Sequence, residues 1–552
     1  MAKGQAISVI VPSALRVPPE LEVDFGAIPP VLIPISGKVA AERIIEQYGE
    51  FDATFFIAVE EGADLVQEHF DFFPDSRVNL VRVGKTISIA HTIWKVLESY
   101  PEAIQNPIVL NFADTIVEDL DPELVGQDFI CHAATIESQR WTLVKTDQGR
   151  IVEVSDKQFQ LDASEWTMLL GVWGFSSGSS FHQKFSECRA AENRGAFYEA
   201  IISYFNGLPN APTWTESVEY IDCGHADSYY AARRKLISAR FFNSLEFSEA
   251  GGTIRKTSAN REKLIDEISW LHALPKELRS YTPTIYDYSR DPNAPFLEME
   301  FYSYPSLDES FVNARFDFDA WEKLFDKLMR LIRRAGKYKV KDDCLAGDLH
   351  EMYVAKTRSR LDTIGRSDLI DTAFIANVEL NGEVIGGLGS VKEQLESVLA
   401  KAGALYAETF QVIHGDLCLG NILYDAKHGL IKLIDARGRF GRYDIYGDVY
   451  YDLAKLSHSI LGFYDFIVSD NFKVTELSPN SYELHLRTSE YHATVGRIFL
   501  KYLDEYGFDV ARVRLIESLL FLSMIPLHRD RPDRQRAMML QGLHLFHQAA
   551  NL

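Results

Sequence analysis

Strand-like and helix-like segments alternate through the first part of the chain, and this alternation restricts its fold more than any other feature. Apolar stretches at 6–11, 31–35, 54–59, 79–83 and 108–112 are separated by segments with helical patterning that begin near 39, 62 and 87. Apolar strands that alternate with helices are typical of a parallel sheet with both faces covered. The sequence therefore predicts an α/β fold whose ligands bind at the carboxyl ends of the strands.

The length of the chain and a change in its pattern of predicted strands and helices indicate a second domain. The chain has 552 residues, and domains usually have roughly 100–200. From about residue 240 onwards the pattern is a short strand at 253–256, a helix from about 260, a strand at 296–301, and then mainly helix interrupted by one hairpin near 421–435. We therefore assign the domains to residues 1–245 and 246–552.

Charge and cysteine content exclude several classes of protein. The 57 basic and 79 acidic residues give a net charge of −22, which works against binding to nucleic acid or to an anionic membrane surface. No apolar run reaches the ~18 residues that a membrane span needs, and no secretory signal is visible at the start. The five cysteines form no C-x-x-C pair, so neither a disulfide framework nor a zinc site is predicted. These features favour a cytoplasmic protein whose partners are small molecules.

The clearest chemistry lies in the segment from His414 to Asp435. A polar turn at 425–429 joins two apolar strands, so Asn421 and Asp435 should meet at the open end of a hairpin. An amide and a carboxylate placed together offer the oxygen ligands that Mg²⁺ prefers. Asp416 precedes Asn421 in a tight loop and is placed to orient and deprotonate a hydroxyl group. A base and two metal ligands are the parts that phosphoryl transfer requires.

This segment resembles the aminoglycoside phosphotransferase and choline kinase families, which share a protein-kinase-like α+β fold. The matching motifs are H-G-D-x-x-x-x-N at 414–421, I-D at 434–435 and G-D-x-x-Y-D-L-A-K at 447–455. The resemblance implies an N-lobe at 246–305 and a C-lobe at 306–552. It assigns Lys256 to the nucleotide phosphates, Glu267 to an ion pair with Lys256, and His414 to the nucleotide side of the site. Mg²⁺ and ATP are the implied cofactors.

The first domain resembles sugar-nucleotidyltransferases, which have a Rossmann-like sheet. The resemblance rests on the stretch 32–38, on Ala113-Asp114-Thr115, on 171–175 and on the D-x-G element that begins at Asp222. In that family two aspartates hold the metal, and the resemblance assigns this role to Asp114 and Asp222. CTP or another nucleoside triphosphate is the implied ligand.

One departure from that family lies directly after the first strand. The family places a basic, glycine-rich loop there, because backbone N–H groups and cations must neutralise the triphosphate. Here the stretch 12–26 has Arg16 as its single basic residue, against Glu20, Glu22 and Asp24. The domain therefore either binds its nucleotide differently or acts as a scaffold.

An arginine-rich segment at 528–536 remains open to two interpretations. It carries four arginines in an otherwise acidic chain. They could bind a phosphate or carboxylate on a substrate, or they could form local pairs with aspartates in a solvated loop.

Three functional hypotheses follow. The preferred one is an Mg²⁺- and ATP-dependent kinase that phosphorylates a hydroxyl of a sugar, polyol or amino alcohol, fused to a nucleotidyltransferase-like domain. The first alternative is a bifunctional enzyme that makes a nucleotide-activated donor, by analogy with the choline kinase and cytidylyltransferase pairing in bacterial surface-polysaccharide synthesis. The second is a non-catalytic nucleotide-binding scaffold.

Overall fold

The computed structural model describes residues 6–35, 38–134, 139–158, 165–217, 219–229, 231, 243–248, 252–302, 304–364, 377–529 and 531–551. The chain divides into two compact units, Met1–Leu236 and Ile237–Leu552. The strand Asn243–Ser248, which spans the predicted boundary at 245, pairs within the second unit.

The first unit is built on one mixed sheet. Its strands are β1 Ala6–Ser13, β4 Asp52–Val59, β5 Val78–Arg82, β6 Ile108–Asn111, β8 Phe129–Ala133, β9 Thr142–Asp147, β10 Arg150–Asp156, β11 Thr167–Phe175 and β12 Thr213–Glu216. Strands β6, β1, β4 and β5 lie side by side and parallel, and β11 adds to β6 in the antiparallel direction. The predicted α/β fold with a parallel-rich sheet is confirmed.

Helices cover both faces of this sheet. They are α1 Pro19–Phe25, α2 Ala40–Gln47, α3 Ala63–Phe72, α4 Ile89–Ser99, α5 Gly178–Glu187 and α6 Ala196–Asn206. The side chains of successive strand residues lie on opposite faces of the sheet: Val9 belongs to one apolar core and Ile10 to the other. This double burial explains why the strands read as continuous apolar runs rather than as alternating ones.

The apolar stretch 31–35 lies outside the main sheet. Residues 30–32 form a 3₁₀ turn, and β2 Pro34–Ile35 pairs only with β3 Lys38–Val39. Prolines at 29, 30 and 34 lack the N–H that a central strand must donate, which accounts for the difference. A second short pair, β7 Thr115–Val117 with β13 Tyr220–Asp222, also stands apart from the main sheet.

The second unit begins with a four-stranded antiparallel sheet and one helix. The sheet contains β14 Asn243–Ser248, β15 Thr253–Ser258, β16 Ile285–Ser289 and β17 Phe296–Glu300, and the helix is α7 Arg261–Ala273. Leu264 and Ile268 of α7 pack in one apolar core with Leu297 of β17. Asn260 caps α7 by accepting the N–H of Lys263.

The rest of this unit is mainly helical. Its helices are α8 Leu307–Val312, α9 Phe318–Ala335, α10 Leu345–His350, α11 Lys356–Ile364, α12 Leu388–Lys401, α13 Val449–Ile460, α14 Tyr464–Val468, α15 Glu490–Glu505, α16 Val510–Met524 and α17 Pro532–Ala550, with a π-helical turn at Glu351–Ala355. The predicted two-lobed α+β architecture is confirmed. In the part of the chain that the structure describes, no helix has the length and apolar character needed to cross a membrane.

The strands of the helical lobe are more numerous than the sequence predicts. They are β18 Lys339–Val340, β19 Val378–Leu380, β20 Glu383–Ile385, β21 Phe410–Val412, β22 Ile422–Asp425, β23 Leu430–Leu433, β24 Tyr446–Gly447, β25 Phe472–Ser478 and β26 Ser481–Leu486. Besides the predicted hairpin, β20, β19, β26 and β25 form a separate sheet. Asn381 and Gly382, both with positive φ, make the tight turn between β19 and β20, so the expectation of a single hairpin is wrong.

Candidate active sites

The predicted hairpin brings two functional candidates together at its open end. Strands β22 and β23 pair antiparallel, and just beyond them the backbone N–H of Ile434 donates to the carbonyl of Asn421 over 3.0 Å. Asn421 and Asp435 therefore flank the same opening. Asp435 has a φ of 58°, in the left-handed region that Asp and Asn tolerate better than most residues.

The loop before this hairpin is held by helix α13. The carboxylate of Asp452 accepts the backbone N–H groups of His414 and Gly415, each over 2.7 Å. Gly415 has a φ of 77°, and a Cβ there would lie 2.8 Å from the Cβ of Arg437. The loop therefore needs glycine at this position, both for its conformation and for the close approach of a side chain.

Asp416 is held in its ionised form. The ammonium group of Lys455 lies 2.8 Å from Asp416 Oδ1. Burial alone would raise the pKa of Asp416, but the charge and hydrogen bond of Lys455 hold it well below its usual range. The Asn421 amide donates to the Asp416 carbonyl over 2.8 Å, which joins the base to one predicted metal ligand.

Lys256, Glu267 and Asp435 form a charge cluster of which Lys256 and Glu267 are buried. Lys256 on β15 and Glu267 on α7 are 4% and 3% exposed, and their charged atoms lie 2.7 Å apart. The Lys256 ammonium also contacts Asp435. Burial would lower the pKa of Lys256, but the two carboxylates raise it, so Lys256 stays charged. The structure thus brings together residues that lie up to 179 positions apart.

His414 lies inside the unit rather than on its surface. It is 4% exposed, and its ring packs edge-on against Trp270 with 5.4 Å between ring centres. Burial lowers the pKa of His414 to about 4, so the ring is neutral near pH 7. Trp270 in turn donates to the Ile413 carbonyl over 2.8 Å, which joins helix α7 to the start of the loop.

In the first unit, β7 and β13 bring Asp114 and Asp222 together. Asp114 follows β6 at its carboxyl end, and the N–H of Cys223 donates to the Asp114 carbonyl over 2.7 Å. A Cβ on Gly224 would lie 2.8 Å from Asp114 Oδ2 and 3.2 Å from Asp222 Oδ1. Burial, and then the charge of Asp222, raise the pKa of Asp114 to about 6.

A cavity of about 510 Å³ opens beside these two aspartates. Aromatic side chains and four basic side chains border it; the latter are Arg16, Arg140, Lys157 and Arg194. Arg16 pairs with Glu61 over 2.9 Å. The acidic, glycine-poor stretch after β1 leads into the short helix α1, so most of the positive charge at this cavity comes from other segments.

Both aspartate-containing sites offer carboxylate or amide oxygens that could bind a divalent cation. Asn421 donates through Nδ2, which leaves its Oδ1 available to a cation beside the Asp435 carboxylate. Asp222 Oδ2 is buried and has no hydrogen-bond partner among the described residues, and a cation would relieve its repulsion with Asp114. Among the described residues, no group of three or more His, Cys, Asp or Glu could hold a metal ion, so any cation would also need ligand or water oxygens.

Some important contacts were not predicted from the sequence. The pairing of Lys455 with Asp416 was missed, although a lysine within the long buried stretch of α13 is the signal that could have revealed it. In the arginine-rich segment, Arg531 and Arg534 both pair with Asp470, at 2.9 Å and 2.7 Å. Both arginines therefore form ion pairs with an aspartate outside their own segment.

The solved structures to which this chain is similar include nucleotidyltransferases, which match its N-terminal part, and aminoglycoside phosphotransferases, which match its C-terminal part. CTP:phosphocholine cytidylyltransferase from Streptococcus pneumoniae is 15% identical, with 42% of this chain and 99% of that chain covered and a TM-score of 0.33. The inositol-1-phosphate CTP transferase from T. maritima is 13% identical, with 44% and 100% covered and a TM-score of 0.32.

For the C-terminal part, the gentamicin complex of APH(2'')-IIa is 13% identical, with 56% of this chain and 88% of that chain covered and a TM-score of 0.33. An aminoglycoside-3'-phosphotransferase of type VIII is 18% identical, with 52% and 97% covered and a TM-score of 0.28. No protein-family model matches the chain, and no curated protein sequence matches it. The structural neighbours are of the same two enzyme classes that the sequence motifs resemble.

Proposed function

We propose that the second unit is a kinase that transfers the γ-phosphoryl group of ATP to a hydroxyl of a small metabolite such as a sugar, polyol or amino alcohol. The observation that carries the proposal is the convergence of Asp416, Asn421, Asp435 and Lys256, joined by direct contacts. A carboxylate base, two oxygen ligands for a cation and a buried ammonium group are the parts that phosphoryl transfer uses.

In this proposal Asp416 accepts the hydrogen bond of the acceptor hydroxyl and orients it. Lys455 contacts Oδ1 of Asp416, which leaves Oδ2 for the acceptor. The low pKa of Asp416 keeps the carboxylate ionised. A weak base suffices, because phosphoryl transfer depends mainly on positioning and charge neutralisation.

Lys256 would bind the nucleotide phosphates, and Glu267 would hold Lys256 in place. The ammonium group has three donors, of which Glu267 and Asp435 take two. Mg²⁺ held by Asn421 and Asp435 would supply further charge neutralisation on the phosphates. The buried Glu267 holds the Lys256 ammonium group beside Asp435, so little ordering is needed when a nucleotide binds.

A nucleotide-binding test separates this kinase from a scaffold. With Mg²⁺ present, ATP at 100-fold its dissociation constant should stabilise the second unit by roughly 2.7 kcal/mol, which raises its melting temperature by several degrees. Asp435→Asn should remove most of this shift. Asp425→Asn, at the other end of the same hairpin, is the matched control, because asparagine serves equally well in a turn. An ATP shift that survives in Asp435→Asn, or the absence of ATP-dependent turnover with any hydroxyl compound, would contradict the proposal.

A second candidate function is nucleotidyl transfer in the first unit, which would make the chain bifunctional and suit it to forming nucleotide-activated donors for bacterial surface polysaccharides. The observation in its favour is the placement of Asp114 and Asp222 beside a cavity of about 510 Å³.

If this unit is active, pyrophosphate should be released from CTP or another nucleoside triphosphate when the phosphorylated product of the second unit is present. Asp114→Asn should abolish that release. Asp147→Asn, at an exposed strand end, should not change it. Release that is independent of Asp114 would rule out this site.

A further inference from the structure

More positively charged side chains lie near Asp416 than its single carboxylate can neutralise. Lys455 is already paired with Asp416. Two further cations, Lys356 and Arg437, surround the ring of Tyr451 at 5.9 Å and 5.5 Å from the ring centre. Arg437 donates to the Tyr451 hydroxyl over 2.7 Å. In a chain with a net charge of −22, such a cluster calls for a specific explanation.

Neither cation forms a direct ion pair with a carboxylate in the part of the chain that the structure describes. The guanidinium group of Arg437 donates to the Tyr451 hydroxyl, and Lys356 faces the ring of Tyr451. Burial raises the pKa of Asp266 and the charge of Arg437 acts to lower it, but Asp266 pairs directly with Arg439. Desolvation lowers the pKa of Lys356, Tyr451 opposes this shift, and the charges of Arg437 and Lys455 lower the pKa further. Two partly buried cations that face the same ring are unfavourable unless an anion joins them.

The other acids near the loop do not supply this anion. Asp452 is committed to the backbone N–H groups of His414 and Gly415. Burial, and then the charge of Asp308, raise the pKa of Asp465, which disfavours its charged form. The excess positive charge therefore remains beside the catalytic loop.

The cluster is rigidly built. Tyr451 is 3% exposed and packs edge-on against Phe440 with 5.5 Å between ring centres. The backbone N–H of Arg437 donates to the His414 carbonyl over 3.0 Å. These contacts fix the Arg437 backbone and the Tyr451 ring relative to the loop that carries Asp416.

We propose that Lys356, Arg437 and the Tyr451 hydroxyl form an oxyanion-binding subsite beside Asp416, and that the oxyanion is a carboxylate or phosphate group of the acceptor itself. An arginine, a lysine and a hydroxyl donor are well suited to such a group. The proposal rests on the proposed kinase function and narrows its acceptor to hydroxyl compounds that carry a negative charge. The other source of an oxyanion is the γ-phosphate of ATP, and the experiment below separates the two.

Inorganic phosphate, added to the full chain without nucleotide or Mg²⁺, is the direct probe. Titration calorimetry should detect its binding, and Lys356→Gln and Arg437→Gln should each weaken it by about tenfold to hundredfold. Arg439→Gln, two residues further on and paired with Asp266, and Arg358→Gln, on the same helix as Lys356, should leave binding unchanged. Bound phosphate should also raise the pKa of Tyr451 from about 8 in ultraviolet difference spectra, and Tyr451→Phe should remove that signal.

Turnover then identifies the source of the oxyanion. Hydroxyl compounds are compared in pairs, glycerol with glycerate and glucose with gluconate. The acidic member should have the lower KM, and Lys356→Gln and Arg437→Gln should raise that KM with little change in the KM for ATP. A rise confined to the KM for ATP, a preference for the neutral members, or phosphate binding that is absent or insensitive to both variants would overturn the proposal. These outcomes differ from failure of the kinase itself, which would show as no ATP turnover with any acceptor.

Discussion

Replacing Asp416 by asparagine should lower ATP-dependent phosphorylation by about 10²–10⁴-fold, the range typical for loss of a positioned acid or base. Asparagine keeps the shape of the side chain but removes the charge that would orient the acceptor hydroxyl. The affinity for ATP should change little, because Lys256, Asn421 and Asp435 remain in place. Steady-state kinetics and ATP binding, measured on the same variant, test both parts of this expectation.

The substitution also leaves Lys455 without its carboxylate partner, so folding must be checked alongside activity. Lys455 is 8% exposed, and an unpaired buried charge is destabilising. A folded variant that binds ATP but does not turn over would support the role of Asp416. Asp319→Asn, on the exposed first turn of α9, is the control and should retain full activity. Unchanged turnover in folded Asp416→Asn would exclude Asp416 as the base.

Removing Lys256 should destabilise the second unit by about 3–5 kcal/mol, the usual cost of breaking a buried ion pair from one side. In Lys256→Met, Glu267 is left 3% exposed without a counter-charge. The single change Glu267→Gln should cost less, because Lys256 still contacts Asp435. Urea unfolding, followed through the transition that ATP stabilises, measures both losses.

The double variant Lys256→Met/Glu267→Gln distinguishes stability from function. It should regain most of the stability lost in Lys256→Met, since the buried Glu267 charge is gone and Asp435, which also loses Lys256, is far more exposed. The difference from additivity gives the coupling energy of the pair. ATP affinity should stay low, because no cation is left to meet the phosphates. Lys276→Met, an exposed lysine just beyond α7, is the control for the loss of a positive charge. Additive losses of stability would show that the pair is not coupled.

Local patterns predicted the elements of the fold well. The strands around residues 54–59 and 108–112 and the helix that begins after Asn260 lie within a few residues of their expected positions, because continuous apolar runs and capping residues act over short distances. Strands β19 and β20 were not predicted. Each has only three residues, although Val378, Leu380 and Ile385 are buried in the apolar core and the Asn381-Gly382 turn between the strands is typical of a hairpin.

Local sequence alone was enough to place Asn421 and Asp435 at the same open end of a hairpin, because a short turn fixes the register and residues about equally far from its tip lie near each other. It also determined that Asp114 lies at the carboxyl end of a strand, since strand direction in an α/β unit follows from the order of elements. These conclusions depend on a few tens of consecutive residues at most.

The ion pairs and contacts between residues far apart in the sequence are known only from the tertiary structure. Lys455 neutralises Asp416, Asp452 holds the loop by its backbone, and Lys356 and Arg437 converge on Tyr451. Each of these contacts joins segments that are separate along the chain, so the pattern around one residue can indicate that a partner is needed but does not identify it. Burial and neighbouring charges then set the ionisation of these groups: the charge and hydrogen bond of Lys455 hold the pKa of Asp416 well below its usual range, whereas burial and the charge of Asp308 raise the pKa of Asp465.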